Sequence, residues 1–126
     1  MCNNMKLIIA GGRDFNNYQV LDTIVSVYSD VISEVVCGDA RGADLLGADW
    51  AYHHNIPVKH FPAEWEKYGK AAGNIRNADM GDYGDALIAF WDGQSRGTMN
   101  MIKTMKLHRK LYWVYNYQGK LIDHGW

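Results

Sequence analysis

The sequence lacks the features of several common protein classes. Its 126 residues include only two cysteines and two prolines. Cys2 lies near the terminus and Cys37 inside an apolar segment, which predicts a reduced protein without a disulfide framework. No apolar run approaches the roughly 18 residues of a membrane span, and the first residues lack the basic and apolar segments of a signal peptide. These absences predict a cytoplasmic protein with no membrane association.

The sequence also has no clear excess of positive or negative charge. Thirteen Lys and Arg residues against fourteen Asp and Glu residues give a formal net charge of −1. No overall basic field exists to drive nucleic-acid binding, so the sequence argues against a nucleic-acid partner. Hydrophobic residues make up 48% and charged residues 21%, the balance of an ordinary globular protein. The length predicts a single domain over residues 1–126.

The five histidines do not indicate a metal site. His53 and His54 are adjacent and therefore point in different directions on a helix, while His60, His108 and His124 have no partner at the spacing of metal ligands. We therefore predict no metal and no cofactor. Cys37 lies inside a predicted strand and no Gly-x-Ser-x-Gly segment is present, so a nucleophilic triad has no support.

Three glycine-rich turns are the most informative feature that is present. They are Gly11–Asp14, Gly38–Asp44 and Asp92–Thr98, and each follows a short apolar run and precedes a helical pattern. A strand–turn–helix arrangement directs backbone N–H groups at an anion. Because the carboxyl ends of parallel strands share one edge, three such turns predict one crevice for a nucleotide-sized ligand.

Hydrophobic periodicity predicts alternating strands and helices. The predicted strands are Lys6–Ala10, Glu34–Cys37, Pro57–Phe61, Asp85–Trp91 and Leu111–Tyr115, and the predicted helices are Tyr18–Val31, Ala43–His54, Lys70–Met80 and Thr98–Lys110. Residues 62–68 are predicted as a loop, Gly81 and Gly84 as the end of the third helix, and residues 116–126 as part of a hairpin. The alternation predicts an α/β three-layer sandwich with a mainly parallel five-stranded sheet and a C-terminal hairpin.

The third turn carries the clearest phosphate-binding pattern. Ser95 or Thr98 could cap the following helix, and Gly97 would let a phosphate approach the backbone amides. Arg96 adds a bidentate positive charge, which favours a phosphate site over a merely capped helix. Trp91, Trp65 and Tyr68 are aromatic candidates for stacking on a base, with Trp91 the best placed of the three, although a core position is the more common role for such residues.

Six short segments together resemble one protein family. They are Gly11-Gly12-Arg13-Asp14-Phe15, Gly38-x-Ala40-x-Gly42-Ala43-Asp44, Phe61-Pro62-Ala63-x-Trp65, Tyr68-Gly69-Lys70-x-Ala72-Gly73, Arg76-Asn77-x-x-Met80 and Trp91-Asp92-Gly93-x-Ser95-Arg96-Gly97-Thr98. They are similar to the YspA/YpsA-related branch of the SLOG superfamily, which includes LOG phosphoribohydrolases and the DNA-processing protein DprA. The resemblance implies a Rossmann-like fold with sheet order 3-2-1-4-5 and a nucleotide or NAD-derived ligand.

The resemblance and the turns together predict the ligand-binding residues. They are Gly11, Gly12, Arg13, Gly38, Ala40, Gly42, Asp44, Arg76, Asn77, Trp91, Gly93, Ser95, Arg96, Gly97 and Thr98. Two of these residues, Asp44 and Arg76, could equally have an ordinary structural role. Asp44 would lie in the first turn of a helix, where a carboxylate meets the helix dipole favourably, and Arg76 would lie in mid-helix, where arginines are usually solvated.

One departure from the LOG pattern bears on activity. LOG enzymes carry Gly-Gly-x-Gly-Thr-x-x-Glu, whose glutamate takes part in cleaving an N-glycosidic bond, whereas Met101 stands at that position here. We therefore predict a sensor or sequestering protein that binds a nucleotide-derived small molecule, such as a cyclic nucleotide or ADP-ribose-type signal, without turnover. The alternatives are a phosphoribohydrolase-like N-glycosidase with Asp92 or Asp14 as the acid–base group, and a DprA-like DNA-associated module.

The sequence also carries an expectation about assembly. Proteins of the SLOG type commonly associate through helices beside the sheet. Met99, Met101, Met105 and the aromatic-rich C-terminal segment offer apolar surface for this, although methionines at such positions could equally be core residues. We predict a homodimer or a larger homo-oligomer.

Overall fold

The computed structural model describes residues 4–125 and contains one six-stranded sheet. The strands are β1 (Met5–Gly11), β2 (Ile32–Cys37), β3 (Val58–His60), β4 (Ala86–Phe90), β5 (Leu111–Tyr115) and β6 (Leu121–Gly125). Their order is β3-β2-β1-β4-β5-β6, and all neighbours are parallel except β5 and β6. The predicted order 3-2-1-4-5 is confirmed, and the predicted hairpin adds its last strand to the same sheet.

Helices cover both faces of this sheet, as a parallel sheet requires. They are α1 (Tyr18–Val25), α2 (Ala43–His53), α3 (Trp65–Tyr68), α4 (Ala72–Tyr83) and α5 (Arg96–Leu107). On one face, α1 and α2 bury Leu21, Val25 and Trp50 against the strands. On the other face, α4 and α5 bury Met80 and Met105. The predicted Rossmann-like three-layer α/β sandwich is confirmed.

The central strands explain why the sheet is buried on both sides. Every residue of β4 is buried, and β1 is buried from Leu7 to Ala10. Alternate residues of β1 enter opposite cores, with Leu7 and Ile9 in one and Ile8 and Ala10 in the other. A continuous apolar run therefore supplies both cores at once, which is the pattern that predicted a parallel sheet.

The first helix is shorter than predicted. It ends at Val25, and a 3-10 turn over Ser26–Tyr28 follows before β2 begins at Ile32. Val27, one of the apolar residues at helical spacing that extended the predicted helix, is 76% exposed. The apolar periodicity continued past the helix because Val31 and Ile32 belong to the approach and start of β2 rather than to the helix.

The segment before the third predicted helix also differs from the prediction. Residues 62–68 contain the one-turn helix α3, followed by a 3-10 turn over Gly69–Ala71, so the predicted loop is wrong in its second half. Helix α4 then continues through Gly81 and ends before Gly84. Gly81 lies against Thr104 of α5, where a Cβ atom would be 2.5 Å from the threonine methyl, so its role is close helix packing and not termination.

Of the methionines that the sequence offered either as apolar surface for assembly or as core residues, most are in the core. Met101 and Met105 are buried against the sheet, and only Met99 is partly exposed. Among residues 4–125, no helix has both the length and the apolar character needed to cross a membrane.

Candidate ligand-binding site

The carboxyl ends of β1, β2 and β4 open into one cavity of about 400 Å³. Helices α2 and α5 begin at this edge, because each follows a turn after β2 or β4. The cavity is lined by Ala10, Gly11, Gly12, Arg13, Asp14, Ala40, Asp44, Arg76, Asn77, Met80, Asp92, Ser95, Gly97, Thr98 and Met101. Its volume lies in the range of small-molecule sites, roughly 300–1,000 Å³.

The amino-terminal turn of α5 forms one wall. Ser95 caps the helix, since its Oγ accepts from the N–H of Thr98 at 3.4 Å and lies 3.0 Å from Thr98 Oγ1. The N–H groups of the first helical turn have no carbonyl partner within the helix. Gly97 carries no side chain that would cover them, and a Cβ there would meet nothing within 4 Å. This wall therefore offers amide donors and the positive end of a helix dipole.

Arg76 and Asn77 are held in place from α4. The Arg76 guanidinium donates to the carbonyl of Gly38 through Nη1 and to Asn77 Oδ1 through Nε at 3.1 Å. Asn77 is buried and donates through Nδ2 to the carbonyl of Gly97 and to Asn100 Oδ1, at 3.2 and 3.0 Å. The pair thus connects the turn after β2 to the first turn of α5. Its arginine charge is oriented before any ligand binds.

Gly38 leaves the space in which Arg76 and Asp44 approach each other. A Cβ on Gly38 would be 2.8 Å from both Arg76 Nη1 and Asp44 Oδ2, so a side chain here would displace the guanidinium and the carboxylate from their present positions. Asp44 Oδ2 accepts from the N–H of Ala40 at 3.4 Å. Burial raises the pKa of Asp44 to about 7, and the nearby Arg76 charge opposes this shift. Asp44 therefore stabilises the turn after β2 through this hydrogen bond, and it also lines the cavity.

The first turn, after β1, places Arg13 and Asp14 on the cavity wall. Both are exposed at the cavity, and Asp14 Oδ1 accepts a 2.6 Å hydrogen bond from the hydroxyl of Tyr117. Burial and this hydrogen bond raise the pKa of Tyr117, which keeps its hydroxyl a donor. This hydrogen bond fixes Asp14 to the hairpin. Among the described residues, Asp14 and Arg13 do not form an ion pair within 4.0 Å.

Asp92 also lies at the cavity, but its carboxylate is occupied by the turn. Oδ1 accepts from the N–H groups of Gln94 and Ser95, each at 2.8 Å. These two hydrogen bonds hold the pKa of Asp92 below its usual range. The geometry is that of a carboxylate that caps a turn, and a carboxylate stabilised in its charged form is a poor proton donor at neutral pH.

A second cavity of about 300 Å³ adjoins the first and shares Arg13, Ala40 and Arg76 with it. Gly38, Asp39 and Arg41 line it together with Trp65, whose side chain is 53% exposed. Sequence reasoning named Trp65 only as an aromatic candidate. The structure gives it a position beside three arginines, where a planar ring could be stacked.

Four predicted ligand residues are not on the walls of the first cavity or of the second. Trp91 donates from Nε1 to the carbonyl of Ser95 and faces a separate groove with Met99 and Ile102. Arg96 and Gly93 are exposed beside the opening, and Gly42 is the residue before α2 with a φ of 81°. Their roles in binding stay predictions.

Sequence reasoning missed the apolar floor of the cavity. Ala10, Met80 and Met101 line it, and all three belong to the core that packs α4 and α5 on the sheet. Helical periodicity assigns such residues to the core, so it gave no signal that they also reach the ligand space. Met101 is 1% exposed, so the position that carries a glutamate in LOG enzymes is an apolar floor residue here.

His60 lies close to Asp39 and Cys37, which its separation from them along the sequence did not indicate. Its Nδ1 lies 2.6 Å from Asp39 Oδ1, and Cys37 Sγ lies 3.4 Å from the same oxygen. Cys37 and His60 are paired residues at the ends of the parallel strands β2 and β3. Burial raises the pKa of the Cys37 thiol to about 12.

Comparison with solved structures identifies a similar fold. The chain resembles the DNA processing protein A (DprA) of Streptococcus pneumoniae with a TM-score of 0.69 at 13% sequence identity. The likeness covers 89% of this chain and 50% of that protein, so the chain spans about half of its length. At this identity the comparison shows the fold alone.

A curated relative and a family model extend the comparison to sequence. The gene 61 protein of Mycobacterium phage D29 is 39% identical over 75 residues, which cover 55% of this chain and 60% of that relative. The model described as YAcAr, the YspA, cpYpsA-related SLOG family, matches residues 5–68. This segment holds the first two turns, whereas Arg76 and the first turn of α5 lie beyond it. Because the match covers half of the chain and the fold agrees, the chain belongs to the YspA, cpYpsA-related SLOG family.

Proposed function

We propose that this protein binds a nucleotide or NAD-derived small molecule in the 400 Å³ cavity and does not turn it over. The observation that carries the proposal is the convergence of Arg13, Arg76 and the amino-terminal turn of α5 on one cavity. Guanidinium groups and first-turn amides are the donors that phosphate prefers. The ligand would be held as a signal that the protein senses or removes from solution.

The absence of turnover is argued from Met101 and from the two exposed carboxyl groups at the cavity, Asp14 and Asp92. Asp44 is the third carboxyl group there, and because burial raises its pKa to about 7 it is the one that a hydrolytic mechanism would have available as an acid. Met101 provides no acid at the position where LOG enzymes have one. Asp92 is held by two turn amides and Asp14 by Tyr117, so each already serves a structural hydrogen bond. A general acid must be free to transfer a proton to the leaving group, which these arrangements disfavour.

The second candidate is an N-glycosidase. It is favoured by the presence of both Asp14 and Asp92 on the cavity walls beside two arginines, an arrangement that could hold a phosphate near an acid. A DNA-associated role, suggested by the name of the DprA neighbour, has less support because the net charge of −1 offers no phosphate-backbone surface. We further propose a cytoplasmic location, where the Cys37 thiol would remain reduced.

One experiment separates binding from hydrolysis. The protein is incubated with a panel of nucleotides that includes ADP-ribose and cyclic dinucleotides, bound ligand is recovered after heat denaturation, and the products are identified by mass spectrometry. We expect intact ligand. Release of free base and sugar phosphate would overturn the binding proposal in favour of an enzyme, and Asp14→Asn, Asp44→Asn and Asp92→Asn would then identify the acid. Calorimetry with no heat of binding across the panel would reject the ligand class.

A further inference from the structure

We propose that Cys37, Asp39 and His60 form a binding site for a divalent transition-metal ion, with Zn²⁺ the best match, at the edge of the second cavity. This site is separate from the donors used in the proposed nucleotide site. It does not depend on the proposed function, because metal binding is measured without a nucleotide. It also departs from the expectation drawn from histidine spacing, since its three ligands come from two strands and from the turn that follows the first of them.

The fold brings the three donor atoms together from separate directions. Cys37 and His60 end adjacent parallel strands in paired register, and Asp39 follows Cys37 by two residues in a left-handed conformation with φ of 63°. The sulfur, the carboxylate oxygen and the imidazole nitrogen all lie within 4.8 Å of one another. Tetrahedral ligands at about 2.0–2.3 Å from Zn²⁺ are about 3.3–3.8 Å apart, so modest side-chain rotation would seat an ion.

The hydrogen-bonding pattern also favours a cation. Asp39 Oδ1 lies 2.6 Å from His60 Nδ1 and 3.4 Å from Cys37 Sγ, so one carboxylate oxygen faces two groups that can carry protons. A metal ion between the three atoms would take the place of those protons, with the thiol proton released to solvent and the imidazole proton held on Nε2. Thiolate and carboxylate would then neutralise the two charges of the ion.

The donor set selects the kind of ion. A thiolate and an imidazole favour Zn²⁺ and related transition metals, whereas Mg²⁺ and Ca²⁺ require mainly oxygen ligands. Three protein ligands leave a fourth tetrahedral position for water or a ligand oxygen, as in zinc sites that keep an open position. Asp39 also lines the second cavity with Arg13, Arg41 and Arg76, so that fourth position lies near the arginine cluster.

The same residues fit a catalytic triad poorly. In a thiol triad the histidine lies between the nucleophile and the carboxylate. Here Asp39 lies between Cys37 and His60. A histidine–aspartate pair would account for two of the residues. The sulfur also lies 3.4 Å from the carbonyl oxygen of Asp44 and accepts from the N–H of Asp39 at 3.3 Å, so the cobalt titration must distinguish these turn contacts from metal ligation.

Cobalt titration tests the site directly. The Cys2→Ser variant leaves Cys37 as the single thiol in the chain. Titrating this variant with Co²⁺ under anaerobic conditions should produce the thiolate-to-cobalt charge-transfer absorption of a tetrahedral site, and added Zn²⁺ should abolish it. No such band at millimolar Co²⁺, with circular dichroism showing folded protein, would overturn the proposal.

Single-ligand variants in the Cys2→Ser background identify the ligands. His60→Ala and Asp39→Asn alter exposed side chains, and asparagine tolerates the left-handed conformation of residue 39, so both should fold. Each should weaken Co²⁺ binding by about tenfold or more. The matched control is His108→Ala, whose imidazole lies 3.3 Å from Asp82 in an exposed pair and should leave cobalt binding unchanged. Equal loss in the control, or full binding in His60→Ala, would reject the assignment.

Discussion

At the scale of single residues, Arg76 combines a structural and a binding role. Its guanidinium is held by the Gly38 carbonyl and Asn77, and it lines both cavities. Because the group is already oriented, less side-chain entropy is lost when it binds an anion. Arg13 is exposed, and among the described residues its guanidinium makes no such hydrogen bonds. Ordering the Arg13 side chain when a ligand binds therefore costs more conformational entropy.

We predict that Arg76→Gln weakens binding of the nucleotide that the panel identifies by about 1.5–3 kcal/mol, roughly tenfold to hundredfold, because a charge-assisted hydrogen bond is lost. The matched control is Arg109→Gln, an exposed arginine after the carboxyl end of α5, which should not change the affinity. Titration calorimetry measures both, with thermal unfolding to check the fold. Equal affinities in the two variants would show that Arg76 is not a ligand contact.

At the scale of elements, α2 packs on β1 through a helical glycine. A Cβ on Gly47 would be 2.7 Å from Ile9 Cγ2 and 2.8 Å from its Cβ. Ile9 is a buried central-strand residue and has no free space in which to move. The close approach of this helix to the sheet sets the position of its first turn, which carries Asp44 into the cavity.

We therefore predict that Gly47→Ala lowers the free energy of unfolding by about 1–3 kcal/mol, because overpacking outweighs the higher helix propensity of alanine. Gly73→Ala in α4 is the matched control. Its Cβ would lie 3.6 Å from Trp65, an ordinary van der Waals distance, so it should be neutral or slightly stabilising. Urea denaturation of both variants provides the test, and a stabilised Gly47→Ala protein would contradict the packing argument.

At the scale of the whole molecule, the two edges of the sheet differ. Strand β3 has three residues and β6 has five, with Leu121 and Ile122 partly exposed on β6. Ile122 also lines an apolar groove with Met99, Ile102 and Trp91. An open edge strand beside an apolar groove is a surface on which a second copy can pair and extend the sheet.

We predict that the protein forms a homodimer in which two β6 strands pair about a two-fold axis. Ile122→Glu should shift the equilibrium to monomer, because a charge would be buried in the interface. Tyr52→Glu, which alters an 82% exposed residue on α2, should leave the assembly unchanged. Light scattering measures the mass, and a wild-type protein that remains monomeric at 14.3 kDa would refute the prediction.

The sequence by itself determined the fold class and the strand order, the second through family resemblance. Short apolar runs, each followed by a glycine turn and a helical pattern, are local signals, and the rule that parallel strands share one edge converts them into a common crevice. Most turn residues of the cavity were predicted for this reason, among them Gly12, Arg13 and Ser95. Helix ends were less predictable, since apolar periodicity ran from α1 into β2.

Only the tertiary structure decided which side chains share a space. Met80 and Met101 belong to the core and also line the cavity, and helical periodicity does not distinguish a core wall from a cavity floor. Trp91 lies in a separate groove and Trp65 lies beside the arginines. Both positions depend on the path of the chain after each residue. Cys37, Asp39 and His60 meet because β2 pairs with β3. Such meetings depend on strand pairing between distant segments, which local sequence patterns do not encode.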